Sequence, residues 1–168
     1  TQTHPVKKTI VGLGEILWDV FPDATKFGGA PANFACSAAG LKTIPAEVYM
    51  LSAVGSDSLG EQAIRSLNEH LVCIHAIQQN AKATGQVNVT IDQHGCASYE
   101  FASDTAWDNL EWSEDWKTLA TATDAVCWGT LGQRSPASQK VIQKFVSTTS
   151  SECLRVLEVC EVTEFRQA

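Results

Sequence analysis

The 168-residue chain has no long apolar run, and no stretch approaches the roughly 20 residues that a membrane-spanning helix needs. Basic residues are scarce as well, since 12 lysines and arginines against 19 acidic residues give a formal net charge of -7. This charge argues against nucleic acid as the main partner, because binding to a phosphate backbone requires a basic face. The polar start of the chain, followed by Lys7 and Lys8, lacks the apolar core of a signal peptide. We therefore expect no nucleic-acid partner and no membrane partner.

Short motifs for phosphate binding and hydrolysis are also absent. No G-x-x-x-x-G-K-[ST] loop occurs, and the pair Gly12 and Gly14 lacks the third glycine of a dinucleotide fingerprint. No G-x-S-x-G elbow is present, and none of the four histidines has metal-ligand spacing with another histidine or a carboxylate. The sequence thus predicts no metal site.

The cysteines do not form a recognisable framework. No C-x-x-C pair exists, so a zinc ribbon is not favoured, and the six residues are spread over the whole chain with several inside apolar runs. We expect free, buried thiols in a reducing, cytoplasmic compartment. The residues are Cys36, Cys73, Cys96, Cys127, Cys153 and Cys160.

What the sequence does contain is an alternation of buried strands and helices. Strand patterns at residues 8–20, about 47–54, 125–128 and 154–159 alternate with helical patterns that begin near Pro31, Ser58, Ser113 and Ser135. Ser58 and Glu61 have the spacing of a capping box. Helices between buried strands favour an α/β fold with an open, mostly parallel sheet and flanking helices.

A second pattern begins after His75. Val87, Val89 and Ile91 alternate with polar residues, and residues 97–101 alternate again after a turn at residues 92–95. This pattern predicts a β-hairpin that stands beside the main sheet as a small flap.

Two features could bind the hydroxyl groups of a small molecule. Asp19 is expected at the carboxyl end of the first strand, where ligands of open α/β sheets bind, although a solvated loop aspartate fits the pattern as well. Gly28 and Gly29 precede a helix, so a ligand could approach the backbone and its free N–H groups closely. Asn33 in the first helical turn could point its amide at the same ligand. A simple tight turn is the alternative.

Trp107 lies in a sequence cluster with Trp112 and Trp116. Such clusters usually belong to the core, but Trp107 directly follows the hairpin and could stack on the face of a sugar.

Taken together, these residues resemble the ribokinase-like (phosphofructokinase-B-type) family of carbohydrate kinases over residues 9–145. Three segments carry the resemblance: 12–19 (GLGEILWD), 28–35 (GGAPANFA) and 54–60 (VGSDSLG). Four more look like the fructokinase branch: Thr84-Gly85, Tyr99-Glu100-Phe101, Ala106-Trp107-Asp108 and the segment 129–135 (GTLGQRS).

The resemblance implies a kinase that transfers the γ-phosphate of ATP, with Mg²⁺, to a sugar hydroxyl, with fructose as the expected sugar. It assigns the sugar hydroxyls to Asp19, Gly28, Gly29 and Asn33. Further substrate or lid candidates are Gln86, Phe101, Trp107 and Arg134. A β-lid formed by about residues 20–30 and 75–103 would cover the sugar, exclude water and offer a possible homodimer contact.

The chain also departs from the family pattern. The Gly-Ala-Gly-Asp motif that carries the family's catalytic base is absent, and residues 157–168 do not match. We therefore expect residues 1–168 to be a partial domain, the sugar-binding half, without a catalytic residue or an ATP site and inactive alone. The alternatives are a truncated, non-catalytic member that binds sugar or a partner chain, and a kinase for another sugar or a nucleoside.

Overall fold

The computed structural model describes residues 6–160. In chain order its elements are β1 (Lys8–Leu13), β2 (Leu17–Val20), β3 (Thr25–Gly28), α1 (Ala30–Gly40), β4 (Ala46–Leu51), β5 (Ala53–Gly55), α2 (Ser58–Glu69), β6 (Gln78–Asn80), β7 (Gly85–Ile91), β8 (Ala97–Phe101), α3 (Glu114–Ala122), β9 (Ala125–Gly129), α4 (Pro136–Thr148) and β10 (Leu154–Glu158). Two short 3-10 helices lie at Ala106–Asp108 and Leu131–Gln133.

The main sheet has the strand order β10-β9-β1-β4, and every neighbouring pair is parallel. Side chains of α1 and α2 share one hydrophobic cluster with β4, and those of α3 and α4 share another with β1 and β9. Helices thus cover both faces, as buried parallel strands require. The expected α/β class with a mostly parallel sheet is confirmed.

A second sheet has the order β3-β2-β7-β8. Its hairpin of β7 and β8 is the predicted one, and the Asp92 carboxylate closes the turn by accepting the N–H groups of His94 and Cys96. The short strand β6, which falls within the predicted flap segment, pairs with β5 instead. We call the sheet of β2, β3, β7 and β8 the small sheet.

The prediction of one continuous strand over residues 8–20 is wrong. The chain leaves the main sheet after Leu13, turns at Gly14 with a φ of 143°, and enters the small sheet at Leu17. The predicted strand at 47–54 is likewise divided at Ser52, since β4 belongs to the main sheet and β5 pairs with β6. Because both segments are largely apolar, hydrophobic periodicity does not predict where the chain passes from one sheet to the other.

The helix starts are partly as predicted. Ser113 and Ser135 cap α3 and α4 through their hydroxyl oxygens. The expected capping box of Ser58 and Glu61 is wrong, because Asp57 is the N-cap of α2 and accepts the N–H of Gly60.

All six cysteines are free, as predicted. Their expected burial holds for Cys127 and Cys153, whereas Cys96 is exposed next to the hairpin turn and the others are half-buried. No helix within residues 6–160 is long and apolar enough to cross a membrane.

Candidate functional site

The expected hydroxyl-binding residues lie where the small sheet meets the first helix of the main domain. Asp19 lies in β2 opposite Lys26 of β3, and β3 ends at Gly28. A Cβ atom built on Gly28 would lie 2.9 Å from Oδ2 of Asp19, so the carboxylate rests directly against the glycine. The expectation that Asp19 lies at the carboxyl end of a main-sheet strand is therefore wrong. Its side chain projects from the small sheet toward the glycine turn.

The environment of Asp19 favours hydrogen bonds from a bound ligand to its carboxylate. The side chain is half-buried, and desolvation by burial raises its pKa above the ordinary value of 3.8, with the nearby charge of Lys26 acting in the opposite direction. A partly desolvated carboxylate gains more from accepting hydroxyl hydrogens than a fully hydrated one does.

Gly29 has a conformation that other residues rarely adopt. Its φ is 105°, and a Cβ atom there would lie 2.6 Å from the carbonyl oxygen of Glu15. Gly29 is the N-cap of α1 and supplies no side chain, so the first N–H groups of the helix receive no cap from within their own turn. The turn thus lies at the positive end of α1, where Pro31 has no N–H and the N–H of Asn33 donates to Gly29.

Asn33 follows in the first turn of α1. Its backbone N–H donates to the carbonyl of Gly29 at 2.9 Å, and its side chain is exposed. The structure thus brings Asp19, Gly28 and Gly29 together, and places Asn33 one helical turn away. We call these four residues the acceptor site, after the sugar that is expected to accept the phosphoryl group.

Arg134 connects the main domain with the end of the small sheet. Its Nε and Nη2 atoms donate to the two carboxylate oxygens of Asp108 at 2.7 and 2.6 Å. Nη2 also donates to the carbonyl of Ala102, just after β8, at 2.5 Å. Because Asp108 is buried and Arg134 half-buried, this bidentate pair fixes the end of β8.

The expectation that Trp107 stacks on a sugar face is corrected by its surroundings. The ring is 1% exposed, and the guanidinium carbon of Arg134 lies 4.1 Å from its centroid. A Cβ atom on Gly85, the first residue of β7, would lie 2.5 Å from the indole nitrogen. Trp107 therefore supports the base of the small sheet from within the core.

Gln86 and Phe101 belong to the small sheet. Gln86 pairs with Trp18 in β2, and its carbonyl accepts the N–H of Ala102 at 2.9 Å. Phe101 is half-buried at the end of β8 and packs against the cluster that contains Leu17 and Trp107. Both residues thus lie in the sheet next to the acceptor site, and a contact of either side chain with a sugar stays a prediction.

Glu15, which lies between β1 and β2, was not among the residues predicted from the sequence. The residue is 1% exposed, and burial raises its pKa from 4.5 to about 7. Its carbonyl oxygen is the atom that excludes a side chain at Gly29. The signal in the sequence was that Glu15, directly after a glycine, is one of only two acidic residues in an apolar run.

A second unpredicted feature is the junction between α2 and the small sheet. Asp57 accepts the backbone N–H of Thr84 at 2.8 Å and its hydroxyl at 2.6 Å, in addition to the N–H of Gly60. Thr84 in turn accepts the N–H of Gly55 at 2.9 Å. These bonds lower the pKa of Asp57 against the effect of burial, and they fix the residue from which β7 starts.

The described residues offer little to a metal ion. Within residues 6–160, no group of three or more histidine, cysteine, aspartate or glutamate side chains could hold one. Mg²⁺ therefore has no ready ligand set in this part of the chain.

Comparison with known proteins indicates a family for the chain. Residues 19–153 match the family model described as pfkB family carbohydrate kinase. The ATP-dependent 6-phosphofructokinase of Thermoanaerobacterium thermosaccharolyticum is 28% identical over an alignment of 158 residues, and the match covers 88% of this chain and 46% of that protein.

Solved structures show the same fold. An uncharacterized sugar kinase from Pyrococcus horikoshii has a TM-score of 0.78 at 23% identity, over 88% of this chain and 54% of that one. The fructokinase of Xylella fastidiosa has a TM-score of 0.75 at 22% identity, over 96% of this chain and 52% of that one. The chain thus spans about half the length of the relatives it matches.

The parallel sheet covered on both faces, the small sheet beside it and the glycine turn at the start of α1 define a ribokinase-like α/β fold. Since the family model covers most of the chain, the chain belongs to the pfkB family of carbohydrate kinases.

Proposed function

We propose that this chain is the sugar-binding half of a fructokinase-like sugar kinase. The observation that carries the proposal is the contact of the Asp19 carboxylate with Gly28, directly before the start of α1. A carboxylate beside the positive end of a helix matches the donors and acceptors of neighbouring sugar hydroxyls.

In this proposal each acceptor residue has a separate role. Asp19 accepts hydrogens from two vicinal hydroxyls and thereby orients the sugar. Gly28 and Gly29 let the sugar approach the backbone, and the N-terminal end of α1 polarises the oxygen that is to be phosphorylated. Asn33 adds an amide that can donate to and accept from a third hydroxyl.

The small sheet is proposed to be the lid. Its hairpin of β7 and β8 is held at the base by the bonds of Thr84 to Asp57 and of Ala102 to Arg134, so the hairpin can close over the acceptor site while its base stays fixed. Closure would exclude water, which otherwise competes with the sugar for the phosphoryl group. We also propose the small sheet as the contact of a homodimer.

ATP and Mg²⁺ are proposed as co-substrate and cofactor of the whole kinase. A Pyrococcus horikoshii sugar kinase of the same fold has been solved in complex with ATP. The sequence contains no Gly-Ala-Gly-Asp motif and the described residues give Mg²⁺ no ligand set, so we propose that this chain alone does not phosphorylate sugar. The reducing, cytoplasmic location is part of the same proposal.

A phosphorylated sugar is the second candidate acceptor. The observation that favours it is the likeness to a 6-phosphofructokinase, whose name indicates a sugar phosphate as acceptor. A further sugar, a nucleoside, or a non-catalytic member that binds a partner chain are the remaining alternatives.

Calorimetric titration distinguishes these candidates. Fructose, fructose 6-phosphate and adenosine are titrated into the wild type, Asp19→Ala and the matched control Asp23→Ala, whose carboxylate lies in the exposed turn between β2 and β3. We expect fructose to bind the wild type and the control, with binding lost in Asp19→Ala.

Each other result has a defined meaning. Tighter binding of fructose 6-phosphate favours the second candidate, and binding of adenosine alone favours a nucleoside. A folded chain that binds none of the three contradicts retained sugar recognition. Turnover of ATP and fructose by the purified chain contradicts the proposed inactivity.

A further inference from the structure

The carboxyl group of Glu15 is the buried acidic group for which the proposed function has no role. It lies at the carboxyl end of β1, and its Oε2 atom has no hydrogen-bond partner among the described residues. A buried hydrogen-bond acceptor without a partner lowers the stability of the fold, so the position of this atom needs a structural explanation.

On one side Glu15 contacts the acceptor site. The helix α1 has no side-chain cap of its own, and the backbone N–H of Ala30 hydrogen-bonds the Glu15 carboxyl group. A Cβ atom on Gly29 would lie 2.6 Å from the Glu15 carbonyl oxygen and 3.5 Å from its Cγ atom. Glu15 thus caps α1 from a different element and determines where the turn of Gly29 and Ala30 lies.

On the other side Glu15 contacts the loop that follows β9. A Cβ atom on Gly132 would lie 3.1 Å from Oε2 of Glu15, and one on Gly129 would lie 2.8 Å from Oε2 of Glu158. The Glu158 oxygen is also buried and without a partner in the described residues. Two unpartnered carboxyl oxygens therefore lie against the same loop, residues 129–132.

The end of β10, which carries Glu158, is bonded to this loop. The N–H of Thr130 donates to the Glu158 carbonyl at 3.1 Å, and the Thr130 hydroxyl accepts the N–H of Cys160 at 3.0 Å. Two hydrogen bonds thus join the backbone at the end of β10 to this loop.

Other charged groups do not neutralise the two carboxyl groups. Arg134 lowers the pKa of Glu15 through its charge, but its guanidinium group is bound to Asp108. The thiols of Cys127 and Cys160 face the same region, and burial together with the two carboxylates raises the pKa of both. The first turn of α1 contributes no acidic residue.

We propose that Glu15 is a positioning residue for acceptor binding, which holds the Gly29–Ala30 turn against the loop 129–132 and couples it to the charge of Glu158. The coupling is a property of this chain's own residues. Its effect on a sugar rests on the proposed function, since only then is the turn a binding site.

The physical reason is the charge of the pair. With Glu15 protonated, one negative charge lies against the loop, and the turn and the loop can remain close. When both groups are ionised, their negative charges repel each other, while the guanidinium group of Arg134 stays bound to Asp108. The loop 129–132 and the turn then move apart, and the donors of the acceptor site lose their alignment.

Amide NMR shifts followed against pH test the coupling without any ligand. The variants are Glu15→Gln, which keeps an oxygen for Ala30 but cannot ionise, and Glu158→Gln, with Glu61→Gln on the exposed face of α2 as control. In the wild type and the control we expect the amides of Gly29, Ala30 and Gly132 to shift together with a midpoint at about 7. Glu158→Gln should lower the midpoint, and Glu15→Gln should remove the transition.

The proposal is overturned if these three amides show no common transition near neutral pH, or if Glu158→Gln leaves the midpoint unchanged. Because the readout is local, a variant with lower stability that still folds remains informative.

Fructose titrations at about pH 6 and about pH 8 complete the test. We expect affinity of the wild type to fall several-fold at the higher pH, and that of Glu15→Gln to stay constant. Equal pH dependence of the two proteins would also overturn the proposal. If fructose binds at neither pH, the proposed function fails, and the amide shifts alone decide whether Glu15 couples the turn to Glu158.

Discussion

Asp19 and Gly28 are in direct contact across β2 and β3, since a methyl group at Gly28 would lie 2.9 Å from Oδ2 of Asp19. The carboxylate of Asp19 can therefore occupy this position only because Gly28 has no side chain.

Gly28→Ala should impair sugar binding more than stability. The added methyl group meets the end of a side chain, which can rotate away, so the fold adapts while the carboxylate leaves its position. We expect fructose affinity to fall roughly tenfold, as for the loss of a charged hydrogen bond. Calorimetry and thermal unfolding are measured together, and an unchanged affinity would count against Asp19 as a hydroxyl ligand.

Gly29→Ala should impair both sugar binding and stability. At a φ of 105° any side chain is strained, and here it would also meet the backbone of Glu15, which cannot rotate away. We expect a loss of roughly 1–3 kcal/mol in the free energy of unfolding. Gly95→Ala is the matched control, because Gly95 has a φ of 80° but open space around it. Equal losses in both variants would mean that strain alone, and not the contact with Glu15, determines the effect.

Removal of one partner from the pair of Asp108 and Arg134 should be strongly destabilising. Asp108 is 5% exposed and accepts two bonds from the guanidinium group, so Arg134→Met leaves a buried charge without its partner. We expect a loss of roughly 3–5 kcal/mol by denaturant unfolding. Lys82→Met breaks the exposed pair with Asp104 and should have little effect on stability, because water screens that pair. Similar losses in the two variants would contradict an anchoring role for Arg134.

Stability should fall as the pH rises from about 4.5 to about 7 because of Glu15. In this window the unfolded chain has released the proton of Glu15, whose ordinary pKa is 4.5, whereas the folded chain keeps it up to about 7. The folded state binds more protons, so the free energy of unfolding decreases with pH, by a total on the order of 3 kcal/mol. Urea unfolding of the wild type and Glu15→Gln across this window should differ by this slope. Parallel pH profiles would contradict the raised pKa.

The layers of the fold could be predicted from the sequence, but the break between its sheets could not. Alternating strands and helices were enough to predict the parallel sheet, and the alternation of Val87, Val89 and Ile91 was enough for the hairpin. The passage from β1 to β2 was not visible, because the run is largely apolar and a glycine within a strand pattern has several meanings.

The same limit applies to the site. Gly28, Gly29 and Asn33 follow one another closely in sequence, so local pattern places them on one turn. Glu15 and Glu158 come together only through the order of β1, β9 and β10, and the bond from Arg134 to Asp108 joins residues 26 positions apart. Contacts of this kind depend on tertiary structure, so they cannot be predicted from sequence periodicity.

Amide NMR shifts on titration with fructose are the most direct test of the acceptor site, because they report where the sugar binds. We expect saturable shifts at Gly28, Gly29 and Asn33 in the wild type and in Asp23→Asn, and their loss in Asp19→Asn, which keeps the shape of the side chain but removes its charge. Shifts that do not saturate, that map to other residues, or that persist unchanged in Asp19→Asn would contradict sugar binding at this site.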